Sequence, residues 1–283
     1  MAETVVMHRG RGLPYSKGLM SQTLSATGLS PQRSFDLARS IEDRLAERAE
    51  AEIDLAGLRE LAEEVLLEAE GETHVRRFRD WNRLDRLDRP LIVMVGGAAG
   101  VGKSTLATML AHRLGITRVI ATDVIRQVLR AFFTHEAMPV VHHSAFEVDL
   151  AGFSEQAELV GTGIEAIVER AGAERTPIVV EGVHAVPGSL PPDLRSACVA
   201  VEALIVVDDE ETHRAHFALR GAARPAERYL ARFEEIRELQ GHLVGRARAE
   251  GVEVIDNTGA DETLRLLMGL VLDAVGKLEE RTE

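Results

Sequence analysis

Leu91-Ile92-Val93-Met94-Val95-Gly96-Gly97-Ala98-Ala99-Gly100-Val101-Gly102-Lys103-Ser104-Thr105 joins an apolar run to a glycine-rich turn and then to a helix-forming stretch. An apolar run without polar alternation reads as a strand buried on both faces, as in a parallel sheet covered by helices. Residues 97–104 match Gly-x-x-x-x-Gly-Lys-Ser, the P-loop pattern, with a strand before it and a helix from Thr105 to Leu114 after it. The glycines let the backbone curl so that successive N–H groups turn inward, and the helix N-terminus adds positive potential. Gly97, Ala98, Ala99, Gly100, Val101, Gly102, Lys103, Ser104 and Thr105 are therefore candidate nucleotide-binding residues. In such a loop Lys103 reaches the β- and γ-phosphates of ATP and the Ser104 hydroxyl ligates Mg²⁺.

Downstream, short apolar runs at Val119 to Ala121, Ile178 to Val180, Ala203 to Val207 and Val252 to Ile255 alternate with helical stretches. The pattern predicts an α/β domain with a parallel five-stranded sheet, whose ligands sit at the carboxyl ends of the strands. Glu181 leaves the end of one strand and is the candidate acidic partner of Ser104 at Mg²⁺. Asp208 and Asp209 also follow a strand, but Glu210 and Glu211 after them read as the start of a capped helix. Asp123 follows the strand at 119–121, and helical spacing sets Arg126 beside it. An acid there orients or deprotonates an acceptor hydroxyl, and an arginine holds the acceptor's anionic group. The basic stretch from His213 to Arg228 contains Arg220 and Arg224, candidates for neutralising charge on a transferring phosphoryl group as a lid closes. Lys103, Asp123, Arg220 and Arg224 make up the candidate catalytic set.

The segment before residue 89 reads differently. Val5-Val6-Met7, a turn at Gly10-Arg11-Gly12 and Pro14-Tyr15 suggest a β-hairpin. Helices are expected at about Ser16 to Ala26, from Pro31 with Phe35, Leu37, Ala38, Ile41 and Leu45 on its apolar face, at Asp54 to Glu68, and at Glu72 to Leu84 with Val75, Phe78 and Trp81 on one side. The charged stretch from Glu42 to Glu52 reads as a solvated helix face. The change of pattern at Asp85 to Pro90 places the boundary between a domain of residues 1–88 and one of residues 89–283.

The 283 residues carry a formal net charge of -13, which weighs against nucleic acid or an anionic membrane as a partner. Lysine occurs only at Lys17, Lys103 and Lys277, a scarcity that genome composition alone can produce; under that pressure the lysine kept inside the P-loop suggests a position where a compact point charge serves phosphate and a guanidinium does not. Cys198, the single cysteine, has no partner for an intramolecular disulfide and reads as a buried apolar residue. His142, His143 and His184 lack a third ligand at metal spacing. No apolar run is long enough to span a bilayer, and the cytoplasm is the expected location.

With these residues in view, the chain resembles the 2-phosphoglycerate kinase family over nearly its whole length. The resemblance rests on residues 96–105, on Thr122-Asp123-Val124-Ile125-Arg126, on Val180-Glu181-Gly182-Val183-His184, on Phe217 to Arg220 and on Tyr229 to Arg237. In the N-terminal part, residues 9–18 look like the opening hairpin of an ATP-cone domain and residues 75–81 like its closing helix. The resemblance implies a P-loop sheet of the nucleoside-monophosphate-kinase type and transfer from ATP to the free hydroxyl of 2-phosphoglycerate. Other polyol phosphates, inositol phosphates among them, remain as acceptors. A non-enzymatic ATP-binding regulator is the alternative of a different class. For the N-terminal domain, nucleotide sensing, a purely structural role and assembly into a homo-oligomer all stand open.

Overall fold

In the computed structural model of the protein, residues 4–8, 11–48, 52–84, 87–218 and 226–278 are described. The chain divides into two units, residues 1–86 with 268–283 and residues 87–267. The dividing point lies two residues before the expected boundary, and the C-terminal residues group with the first unit.

In the first unit, β1 (Val5–His8) pairs antiparallel with β2 (Arg11–Pro14) and parallel with β3 (Glu52–Asp54). Arg11 and Gly12 thus belong to a strand rather than to the predicted turn, and Gly10 lies outside the described residues. Four helices follow the order α1 (Lys17–Ala26), α2 (Pro31–Glu47), α3 (Leu55–Glu70) and α4 (Glu72–Arg83). Ser16, Ser30 and Asp54 cap the first three by accepting backbone N–H groups, which satisfies donors that a helix start leaves unpaired. Leu37, Ala38, Ile41 and Leu45 of α2 join the core as predicted, but Phe35 is exposed and Ser34 is buried in its place. The charged stretch is not one helix face. α2 ends at Glu47, and Glu52 opens β3, whose central Ile53 packs into the core.

The second unit holds β4 (Leu91–Gly96), β5 (Val119–Ala121), β6 (Ile178–Glu181), β7 (Val199–Val206) and β8 (Glu253–Asp256). They form one sheet in the order β5-β6-β4-β7-β8 with every pair parallel, a P-loop sheet of the nucleoside-monophosphate-kinase type. β4 is central and buried throughout. β7 begins four residues before the predicted Ala203. The charge of Glu202 is tolerated inside it because its carboxylate pairs with Arg195 and accepts the Gly188 N–H at 2.8 Å.

The helices of this unit are α5 (Lys103–Leu114), α6 (Thr122–Phe132), α7 (Leu150–Glu174), α8 (Pro192–Ala197), α9 (Glu210–Ala218), α10 (Ala226–Leu230) and α11 (Phe233–Glu250). α12 (Ala260–Gly276) starts in this unit, and its residues from Met268 group with the first. Aliphatic side chains of α7, β4 and β6 pack into one core cluster and those of β7 and α11 into another. Cys198 is buried beneath the former, and burial pushes its thiol up to about 11. No helix among the described residues is long and apolar enough to cross a membrane.

Candidate active site

The strand register assembles the site. Val95 of β4 lies opposite Glu181 of β6, so the P-loop and Glu181 leave the sheet side by side at its carboxyl end. There the Ser104 hydroxyl donates to Glu181 Oε2 at 3.0 Å. Glu181 is only 7% exposed, held beneath the loop rather than out in solvent. A hydroxyl and a carboxylate at this spacing are hard oxygen donors, the set that Mg²⁺ takes. The P-loop itself is tightly built. Gly100 and Gly102 have φ of 93° and 87°, and a Cβ on either would lie 2.5 Å from Phe217 Cζ or 2.6 Å from Asn257 Nδ2.

Lys103 donates to its own loop at Ala98 O, 3.0 Å away, and lies at the edge of two cavities. One is a groove of about 540 Å³ between the P-loop and residues 257–260 after β8. The other is a smaller pocket of about 130 Å³, bounded by Thr122, Asp123, Ser144, Phe146, Glu181 and Tyr229. Lys103 and Ser104 line both.

At the smaller pocket Asp123 and Arg126 form an ion pair of 3.1 Å, yet their settings are opposite. The Asp123 side chain is 67% exposed and that of Arg126 only 6%. Arg126 donates to the carbonyls of Val141 and His143, both at 3.0 Å, so its guanidinium holds the segment that leads to Ser144. A buried network not seen in the sequence backs the same wall. His184 Nε2 meets Gln156 Oε1 at 2.8 Å, and Gln156 Nε2 donates to the carbonyls of Val140 and His143. With its Oε1 as the acceptor, Gln156 requires the proton on Nε2 of His184. His184 Nδ1 then accepts from the Thr122 hydroxyl at 3.1 Å. Burial lowers the His184 pKa to about 4, so the ring is neutral. His142 and His143 lie outside this pocket's lining, with His142 Nε2 3.0 Å from Phe133 O.

Asp209 caps α9, accepting the Thr212 N–H at 2.7 Å. One face of α9 turns inward, with His213 and Phe217 fully buried under the P-loop, while residues 210–212, 214 and 215 are exposed. Arg220 and Arg224 lie outside the described residues.

Two cavities that meet at one lysine are what a transfer between a donor and an acceptor requires, and with this sheet they define a P-loop phosphotransferase acting on a small molecule. No family model matches the chain. Curated relatives include 2-phosphoglycerate kinases of Methanopyrus kandleri (34% identical, covering 94% of this chain and 86% of the relative), Methanococcus vannielii (34%, 96% and 92%) and Pyrococcus horikoshii (34%, 90% and 89%). The chain belongs to the 2-phosphoglycerate kinase family. Among solved structures it is similar to a gluconokinase from Sinorhizobium meliloti 1021 (17% identical, TM-score 0.44, covering 69% of this chain and 98% of that one). It is also similar to a shikimate kinase from Acinetobacter baumannii in complex with shikimate (18%, 0.42, 69% and 97%).

Proposed function

We propose that the protein transfers the γ-phosphoryl group of ATP to the free hydroxyl of 2-phosphoglycerate, giving 2,3-bisphosphoglycerate. The observation that carries this reading is the shared wall formed by Lys103 and Ser104. It joins a groove of about 540 Å³, assigned to the nucleotide, to a pocket of about 130 Å³, assigned to the acceptor. The relatives' name supplies the acceptor.

In this reading the inward amides of residues 97–102 and Lys103 hold the donor phosphates. Ser104 and Glu181 hold Mg²⁺, which when bound neutralises charge on the transferring group. Asp123, free to solvent on one side and steadied by Arg126 on the other, orients the acceptor hydroxyl and takes its proton as the new P–O bond forms. Arg126 steadies the acceptor side through Asp123 and the backbone at 141 and 143. Arg220 and Arg224 keep their sequence-based assignment over the transferring group. Transfer in line between fixed partners relies on positioning and electrostatics, with no covalent enzyme intermediate.

The test is ADP release by the purified protein with MgATP and a panel of 2-phosphoglycerate, inositol phosphates, nucleosides and sugar acids. The expected result is strong dependence on 2-phosphoglycerate and a product carrying two phosphorus resonances. Release that ignores every acceptor would overturn the kinase reading. Dependence on an inositol phosphate instead would overturn the acceptor alone.

A further inference from the structure

Four consecutive P-loop carbonyls, from Ala98 to Val101, each accept a hydrogen bond from a different side chain. Lys103 Nζ donates to Ala98 O at 3.0 Å, and Asn257 Nδ2 to Val101 O at 2.9 Å. The two in between are held from α9, by His213 Nε2 on Ala99 O at 2.8 Å and His216 Nδ1 on Gly100 O at 3.0 Å. His213, His216 and Phe217 stand at i, i+3 and i+4, so one face of α9 lies against the loop. The fit leaves no slack, since a Cβ on Gly100 would lie 2.7 Å from His213 Nε2.

The two rings use opposite nitrogens. A carbonyl only accepts, so Nε2 of His213 carries a proton. Its Nδ1 faces Arg237 Nη1 at 3.5 Å, and a guanidinium only donates. Arg237 is fixed in turn on the carbonyls of Val207 and Asp208 at the end of β7. In His216 it is Nδ1 that carries the bonding proton, and the ring lines the 540 Å³ groove together with Gly102 and Thr105. A peptide whose carbonyl is held outward keeps its amide turned into the loop, whereas a released peptide can present its oxygen to a phosphate.

We propose that His213 and His216 are positioning residues for the phosphoryl donor, fixing the Ala99 and Gly100 peptides so that the loop's amides face the phosphates. The inference rests on the reading that this P-loop holds a nucleotide.

Glutamine carries its amide nitrogen near the place of a histidine Nε2, and asparagine near that of Nδ1. His213→Gln and His216→Asn therefore keep the donor, while His213→Asn and His216→Gln displace it. The probe is MgADP, titrated calorimetrically into each full-length variant, with melting curves and steady-state KM values for ATP and acceptor alongside. The donor-keeping pair should bind MgADP within about threefold of the wild type. The displaced pair should lose roughly tenfold, the effect of one hydrogen bond, with KM for ATP raised in parallel and KM for the acceptor unchanged. Space-filling alone would make asparagine and glutamine rank alike at both positions, and that ranking overturns the proposal, as does unchanged affinity in all four. If the His213 variants fail to fold, the pair at the half-buried His216 decides. Failure of the wild type to bind MgADP would remove the nucleotide reading itself, and this proposal with it.

Discussion

The Ser104 hydroxyl and the Glu181 carboxylate are 77 residues apart in sequence and 3.0 Å apart in the folded chain. That contact follows from adjacent parallel strands ending at the same level, and it joins one neutral and one anionic oxygen donor. Glu181→Gln preserves shape and hydrogen bonding while removing the charge. It should raise the Mg²⁺ concentration for half-maximal rate at least tenfold and lower kcat by roughly 10²–10³. Ser104→Ala should do the same, and the double variant should be little worse than either single one, because the two act on one ion. Rates measured against free Mg²⁺ at fixed ATP decide it. A wild-type Mg²⁺ curve in Glu181→Gln would remove the assignment.

Asp123 and Arg126 share an ion pair but should separate in kinetics. Asp123→Asn keeps the hydrogen bond to Arg126 yet cannot take a proton, so kcat should fall by roughly 10²–10⁴ with KM for ATP unchanged. Arg126→Ala leaves the carbonyls of Val141 and His143 without their donor in a buried place, which costs about 2–4 kcal/mol of stability. Its kinetic effect should fall on KM for the acceptor. Denaturant midpoints together with kcat and KM for both variants test the split. Equal loss of ATP affinity and turnover in Asp123→Asn would refute its role.

The P-loop, Glu181 and the five strands were legible because each rests on a local rule: glycine spacing, an apolar run, an acid at a strand end. β3 was not, since a single buried Ile53 between two acids makes no pattern until β1 lies beside it. The setting of Arg126 was equally hidden. Its spacing from Asp123 is visible in sequence, but its burial depends on the carbonyls at 141 and 143, which only the tertiary fold brings near. In the sequence the histidine face of α9 is hidden within a basic stretch. Phe217 four residues after His213 was the available sign that this face turns inward.

His184 ties stability to pH. Burial lowers its pKa to about 4 from 6.5, so between those values the unfolded chain binds more protons than the folded one. Stability is therefore complete above about pH 6.5 and falls as pH drops toward 4, by on the order of 3 kcal/mol in all. The charges facing the ring divide: Asp123 favours the protonated form, and Arg126 and Lys103 oppose it. Urea midpoints of the wild type and His184→Gln at pH 7 and pH 5 give the comparison. The wild type should lose more on acidification than the variant, although the variant is weaker at pH 7 for want of a partner to Thr122. Identical slopes would show that the ring titrates normally.

Gly100 answers to two constraints that mutation can pull apart. Its φ of 93° disfavours any side chain by about 1–2 kcal/mol, and a Cβ would also strike Phe217 Cζ at 2.5 Å. Gly100→Ala should therefore weaken ATP binding by more than backbone strain alone explains. Adding Phe217→Leu shortens the offending ring but leaves φ untouched, so it should return part of the lost affinity and never all of it. Phe217 also stacks on Tyr229, with ring centroids 5.2 Å apart, and Tyr229 lines the smaller pocket. Phe217→Leu alone should consequently raise KM for the acceptor while sparing that for ATP. KM values for both substrates across the four proteins of this cycle carry the test. Full additivity of the two substitutions would mean that Phe217 does not press on the loop at Gly100.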